Sequence, residues 1–306
     1  MRTNSGSFVR KLSPASIIVS LLVLFSLICI YWFYHANKIT RERETENSAK
    51  TAIQTQKAKS INVPLFINPE KIRHQSRFNF TFDPPEVLKK YRESENLDQV
   101  TAGAESDFEK ALKLMKWTRD QWEPGLPDPY PPLNALRILT EIRSGWTGGF
   151  CAQYNYVFVQ ALQSLSIPAR YITVLGHEVT EAWIKELEKW ICFDPLHNAY
   201  YTGEKEVPLS VFDIYRRVKN NLPVRPVGDK LPADIRGHLK KFSRFSVWIK
   251  NNHVSSPVNF TDLEYYKVHF VEKDEDYWLS NPPGLWTSSL KDLYFPVRVY
   301  PVKILE

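Results

Sequence analysis

The chain has 306 residues, 43% hydrophobic and 24% charged, which suits one large globular domain or two small ones. Its formal net charge of +6 is spread along the chain, and no motif interleaves basic residues with stacking aromatics, so nucleic acid is not an expected partner. Three cysteines are too few for a disulfide scaffold, and with neither Cys-x-x-Cys nor His-x-x-x-His pairs, nor any chelating spacing among Cys192, His197 and His253, no metal is expected.

Residues 1–14 form a short tail carrying Arg2, Arg10 and Lys11. Residues 15–34 are uncharged and almost wholly apolar, about the length that crosses a bilayer as a helix. Tyr31, Trp32 and Tyr34 close the stretch, where amphipathic rings favour the headgroup region. A cleaved signal peptide would have a shorter apolar core and a small-residue cleavage site, which Tyr-Trp-Phe-Tyr-His does not provide. The segment therefore reads as a transmembrane signal anchor, with the lipid bilayer as its partner. The short tail argues for a single-pass protein whose soluble part lies on the non-cytoplasmic side, although Lys38, Arg41 and Arg43 just past the span weigh the other way.

Residues 35–60 are polar and charged, a stalk between membrane and domain. A domain is expected over 61–235, followed by a β-rich C-terminal region over 236–306. Asp83-Pro84 opens a short helix reaching about Glu93. Ser106-Asp-Phe-Glu109 is a capping box, and Phe108, Ala111, Leu112, Met115 and Trp122 recur at helical spacing behind it, predicting a helix to about Trp122. The proline-rich stretch 125–132 must be loop. Asn134 caps the next helix, with Leu136, Ile138, Leu139 and Ile142 inward, and Gly145, Gly148 and Gly149 end it.

Cys151 starts a third helix whose buried stripe is Val157, Phe158, Ala161, Leu162 and Leu165. Three strands should follow, over 171–175, 179–185 and 190–194, turning at 187–189. A helix is expected over 211–218 and strands over 245–249, 265–271 and 295–302. Asn79 and Asn259 begin Asn-x-Thr sequons, relevant only in a eukaryotic secretory host.

A chemical pattern runs through the middle of this order. Cys151 follows Gly148 and Gly149 at a helix start, where unpaired N–H groups favour negative charge on the sulfur and the Cys151 N–H can face an oxyanion. His177 and Asp194 fall at corresponding ends of two strands of a hairpin, so the carboxylate can hold one imidazole nitrogen while the other faces sulfur. Glu181 shares the strand face of His177 by parity, and either braces the site or is solvated. Cys192 has apolar neighbours and reads as structural.

Gly-Gly-Phe-Cys-Ala at 148–152, Leu-Ser-Ile-Pro-Ala-Arg at 165–170, Gly-His-Glu-Val-Thr-Glu-Ala-Trp at 176–183 and Lys-Trp-Ile-Cys-Phe-Asp-Pro at 189–195 together resemble the transglutaminase-like superfamily, over about residues 100–200. The resemblance implies an α+β, papain-like core with the nucleophile helix packed on an antiparallel sheet. It implies Cys151 as nucleophile, His177 as base and Asp194 as its orienter. A tryptophan upstream of the cysteine often serves such enzymes as an oxyanion donor, which makes Trp117 and Trp122 candidates, with Trp146 less favoured. One departure is Ser166, where the common motif has Gly; that should cost a little capping energy.

The function so implied is attack on amide bonds of protein or peptide substrates through a thioester, resolved by water or by an amine. No cofactor is required, and no Asp-rich calcium loop is visible. The alternative is a non-catalytic, membrane-anchored binding or scaffold module that keeps the fold. The oligomeric state is left open.

Overall fold

A computed structural model describes residues 78–257, 260–272 and 285–294. The expected span at 15–34, the stalk at 35–60 and the strand at 295–302 lie outside these residues, as does Asn259. Among the described residues no helix is long and apolar enough to cross a membrane.

The first half of the domain is helical: α1 (Pro85–Ser94), α2 (Leu97–Thr101), α3 (Asp107–Arg119), α4 (Ala135–Arg143) and α5 (Cys151–Ser164), preceded by the short β1 (Thr81–Phe82). Helix α1 starts at Pro85 with Pro84 at its N-cap, because the Asp83 carboxylate expected to cap it instead accepts from Gln160 and the Val254 and Ser255 N–H groups. Helices α3 and α4, by contrast, start at their expected caps. Ser106 Oγ accepts from the Glu109 N–H at 3.1 Å, and Asn134 Oδ1 accepts from the Arg137 N–H at 3.1 Å. The Glu109 carboxylate reaches back to the Glu105 N–H at 2.8 Å rather than to Ser106, so the box closes one residue early. Helix α3 also stops at Arg119, short of the expected Trp122.

Strands then dominate: β2 (Ala169–Val174), β3 (His177–Ile184), β4 (Lys189–Asp194), β5 (Ala199–Thr202), β6 (Arg225–Gly228), β7 (Phe245–Trp248), β8 (Lys250–Asn251), β9 (Lys267–Phe270) and β10 (Leu285–Thr287). Three helices interrupt them, α6 (Val211–Lys219), α7 (Ile235–Lys240) and α8 (Leu290–Leu293). Eight strands make one sheet in the order β10-β9-β7-β2-β3-β4-β5-β6. Its pairs are antiparallel except β9 with β10, so the expected antiparallel sheet is mixed at one edge. The later strands β7, β9 and β10 extend this same sheet from β2. Residues 260–266 are a 3-10 turn rather than the start of the strand expected at 265, and β5 and β6 were not anticipated at all.

Helix α5 lies against β2 and β3 on one side and against α1, α3 and α4 on the others, so residues 153–164 are buried all round rather than along one stripe. Several of its polar side chains find partners there, as burial favours, although among the described residues Gln153 Nε2 and Gln163 Oε1 are buried without one. Gln160 accepts from the Ala135 N–H at 2.9 Å and donates to Asp83 at 3.1 Å, while Gln163 donates to the Ala169 carbonyl at 2.8 Å. The opposite face of the sheet carries the apolar cluster of Ile172, Val179, Cys192, Val211, Ile214 and Phe242. Cys192 is 0% exposed there, and burial, with the charges of Glu181 and Asp194 behind it, pushes its thiol well above the ordinary range.

The end of α5 explains the serine in the Leu-Ser-Ile-Pro-Ala-Arg motif. The Ser166 N–H bonds the Gln163 carbonyl and the Ile167 N–H bonds the Leu162 carbonyl, both at 3.0 Å, and Ser166 takes φ +62°. This is a Schellman cap, whose left-handed residue favours glycine. A Cβ in that region costs roughly 1–2 kcal/mol, partly recovered through the stiffer unfolded chain. Ser166→Gly should therefore raise stability by about 0.5–1 kcal/mol in urea denaturation. A loss of stability would show that the serine side chain contributes more than its backbone costs.

Candidate active site

Three segments meet at the N-terminus of α5. The first is the turn 148–150 that delivers Cys151. The Gly149 carbonyl accepts from the Gly125 N–H at 3.1 Å and from Trp122 Nε1 at 3.2 Å. A Cβ on Gly148 would stand 2.5 Å from the Leu126 carbonyl oxygen, so only glycine lets the two loop segments approach this closely. The Phe150 N–H donates to Gln153 Oε1 at 2.9 Å, fixing the first turn. Cys151 is half-buried, and its own N–H, in that first turn, has no intrahelical acceptor.

The second segment is the β2–β3 hairpin. Gly176 at φ +66° makes its tight turn, and His177 follows as the first residue of β3. The third is β4, which ends at Asp194. With Thr180 opposite Phe193, Asp194 falls beside Val179, one diagonal step from His177 on the same face. His177 Nε2 lies 2.7 Å from Asp194 Oδ2, and the ring shares a further hydrogen bond with the Cys151 side chain. Thiol, imidazole and carboxylate thus form one hydrogen-bonded series.

Asp194 is 0% exposed and gathers more donors than the sequence suggested. Tyr201 Oη donates to its Oδ2 at 3.0 Å, His238 Nε2 stands 3.3 Å from the same oxygen, and Tyr201 Oη lies 2.8 Å from His238 Nε2. Burial alone would raise the Asp194 pKa. The charge and hydrogen bond of His177, then the bond of His238 and the charge of His197, overcome it and hold the carboxyl well below the usual range. For His177 burial disfavours the charged ring, but the Asp194 charge and hydrogen bond, with the Cys151 bond added, raise its pKa to about 10. The His177 contribution is therefore fully present below the ordinary histidine pKa of about 6.5 and is lost as pH rises through the folded value, whereas the Asp194 contribution is present above the ordinary carboxylate pKa of about 3.9 and is lost as pH falls.

The remaining sequence candidates lie elsewhere. Trp122 spends its N–H on the Gly149 carbonyl and stacks on Tyr154 at 4.2 Å, so it supports the glycine turn. Trp117 lies on α3, and among the described contacts none links its ring to Cys151, His177 or Asp194. Trp146 is 58% exposed. Glu181 does share the His177 face of β3, but it is fully buried and pairs with Arg170 at 2.6 Å on the neighbouring strand. Its other oxygen accepts from the Val211 N–H at 2.8 Å and Tyr294 Oη at 3.0 Å. Arg170 in turn stacks on Trp190 and Tyr294 and donates to the Leu293 carbonyl. Glu181 braces the sheet.

Sequence reasoning missed Asn155, Tyr201 and His238, and it weighed His197 only as a metal ligand without chelating spacing. Asn155 lies one helical turn after Cys151, and its Nδ2 donates to the Cys151 and Glu178 carbonyls, both at 2.7 Å. Helical spacing could have placed it near the site; nothing local marks His238, which arrives on α7. On the outer side of Cys151, Tyr130 hydrogen-bonds Gln153. Its phenol is pushed up to about 12, chiefly by burial and then by the charges of Glu178 and Cys151.

Residues 95–195 match the family model of the transglutaminase-like superfamily. This segment is similar to the core of that superfamily. A provisionally named cysteine protease of Cytophaga hutchinsonii, solved at 1.9 Å, is similar at 23% identity with a TM-score of 0.30. The likeness covers 44% of this chain and 44% of that one, so the chain spans less than half the length of that protein. No curated protein matches the chain. A thiol, an imidazole and a carboxylate in series within such a core support a cysteine enzyme in general terms.

The placement of Glu181 carries a prediction. Breaking a fully buried ion pair leaves an uncompensated charge and costs about 3–5 kcal/mol. Glu181→Ala should lower the unfolding free energy by about that amount in urea titration, far more than an exposed carboxylate would. A loss below about 1 kcal/mol would show that Arg170 finds other acceptors.

Proposed function

We propose that this chain is a cysteine enzyme acting on amide bonds of protein or peptide substrates, with Cys151 as nucleophile, His177 as acid and base, and Asp194 as the group that orients His177. The observation that carries this reading is the Cys151–His177–Asp194 hydrogen-bond series, built at a helix N-terminus and backed by a buried carboxylate. The Cys151 sulfur bonds to the substrate carbonyl carbon while His177 holds the thiol proton. The carbonyl electron pair moves onto oxygen, where the Cys151 N–H and the helix N-terminus favour the negative charge. When the tetrahedral species collapses, the C–N bond breaks and His177 gives its proton to the leaving amine. A thioester remains.

Water or an amine then attacks the thioester, His177 accepts the proton of that nucleophile, and the C–S bond breaks to regenerate Cys151. Hydrolysis and transfer share every residue up to this step. Presenting the enzyme with a labelled amine and a glutamine-containing acceptor protein separates them: incorporation of label marks transfer, and its absence alongside amide cleavage marks hydrolysis. We further propose that residues 15–34 anchor the enzyme in a bilayer with residues 61–306 on the non-cytoplasmic side, as the charge-free apolar run supports.

The first test is chemical. In the full chain, iodoacetamide at neutral pH should label Cys151 while leaving buried Cys192 unmodified, with mass spectrometry locating the label. His177→Ala should slow labelling of Cys151 by at least about tenfold, because the thiolate is the reacting form and loses its partner. Asp194→Asn should act in the same direction. Labelling indifferent to both changes would remove the triad and leave a binding or scaffold module, whose function would also survive Cys151→Ala.

A further inference from the structure

The acyl-transfer chemistry proposed above needs one imidazole on Asp194, yet the structure supplies three. His177 opens β3, Asp194 ends β4, His197 lies in the turn that follows, and His238 comes from α7. One ligand atom from each of these four residues lies within 4.8 Å of every other. His238 meets the rings of His177 and His197 edge-on, with centroids 5.1 and 4.8 Å away, and those two rings are tilted to each other at 5.7 Å.

The spacing suits a tetrahedral ion. Ligands about 2.0–2.1 Å from such an ion stand about 3.3 Å from one another. His238 Nε2 and Asp194 Oδ2 are already 3.3 Å apart, and His177 Nε2 is 2.7 Å from the same oxygen. His197 Nδ1 is tied to the Lys230 carbonyl at 3.0 Å, the outer contact that metal-binding histidines commonly make, which leaves Nε2 for the cluster. His197 is only partly buried and offers a way in from solvent, whereas the other three are enclosed. Three imidazoles and one carboxylate suit zinc and its transition-metal neighbours rather than calcium or magnesium, which prefer oxygen.

We propose that His177, Asp194, His197 and His238 bind one divalent transition-metal ion of the zinc class, and that its binding switches the thiol site off. The bond forms from the His177 Nε2 lone pair and the Asp194 carboxylate. Tyr201 keeps its bond to Asp194 and releases the His238 nitrogen that it now approaches at 2.8 Å. A ring with metal on Nε2 and a proton on Nδ1 can take no further proton, so His177 can no longer serve Cys151. Binding itself is independent of the catalytic reading; only the switch rests on it.

The experiment titrates Co²⁺, then Zn²⁺, into the full chain carrying Cys151→Ser, which removes the site thiol. The expected result is one ion per chain, with the visible d–d bands of four-coordinate Co²⁺ and no thiolate charge-transfer band. His197→Ala and His238→Ala, each checked for native circular dichroism, should weaken binding by about 10–100-fold, the scale seen for disturbed metal shells. Stoichiometric binding absent from the Cys151→Ser chain, or unmoved by both histidine variants, would overturn the site. In the chain with Cys151 intact, Zn²⁺ should slow labelling of that thiol, and a chelator should restore it. Slowing that persists in His238→Ala would mean that zinc acts on the thiol directly and would overturn the switch.

Discussion

The geometry of the site depends on one side chain that takes no part in the chemistry. Asn155 sits one turn into α5, and its amide nitrogen bonds the carbonyls of both Cys151 and Glu178, while its oxygen accepts from Thr180 Oγ1 at 2.5 Å. A single buried amide thus joins the first turn of the nucleophile helix to β3 at residues 178 and 180, just after His177. Apolar packing alone would not hold a thiol and an imidazole in register, since it is indifferent to shifts of an ångström or so. Directional bonds from a rigid, two-rotor side chain supply that precision, and burial makes each of them expensive to leave unmade.

The opposite face of the sheet is fixed by another polar group in an apolar setting. Arg170 and Glu181 are directly opposed on β2 and β3, and both are wholly enclosed. Between them they engage the N-terminus of α6 through Val211 and the end of α8 through Leu293 and Tyr294. A hydrophobic pair of similar volume would fill the space at least as well. What the ion pair adds is direction: its bonds reach two segments of chain that leave no latitude in where the helices dock. The junction of α5 with β3 and the docking of α6 and α8 on the other face therefore use the same device, a buried polar group whose bonds specify one arrangement.

Legibility from the sequence followed the range of the interactions. Caps at Ser106 and Asn134, the glycine turn before Cys151 and the hairpin turn at Gly176 are local, and each sits where its residue type demands. Cys151, His177 and Asp194 were legible for the same reason: they lie at element ends marked by glycine or proline within 44 residues. Where the outcome was decided by what packs from afar, the reading failed. Gln160 and Gln163 look solvent-facing by type, yet partners on other elements let α5 be buried all round. Trp122 has helical spacing, but α3 ends before it and the indole stacks on Tyr154 instead. Residues 260–266 carry the aromatic content of a strand and form a 3-10 turn. His197 and His238 carry no chelating spacing, because their proximity exists only once β4, the following turn and α7 have folded together.

Asp194 brings these strands of argument to one atom. Its Oδ2 is shared by His177, Tyr201 and His238, in a setting where a bare carboxylate would be costly to bury. Two arrangements can meet that cost. In one, imidazole and phenol hydrogens surround the oxygen and His177 remains available to the thiol. In the other, a divalent ion takes the place of the imidazole hydrogens, Tyr201 keeps its bond, and His177 is committed to the ion. Both satisfy the carboxylate, so the fold is indifferent between them, whereas the chemistry is not. A buried carboxylate ringed by more imidazoles than catalysis requires is therefore a point at which the same stabilising demand can be met with the site open or closed.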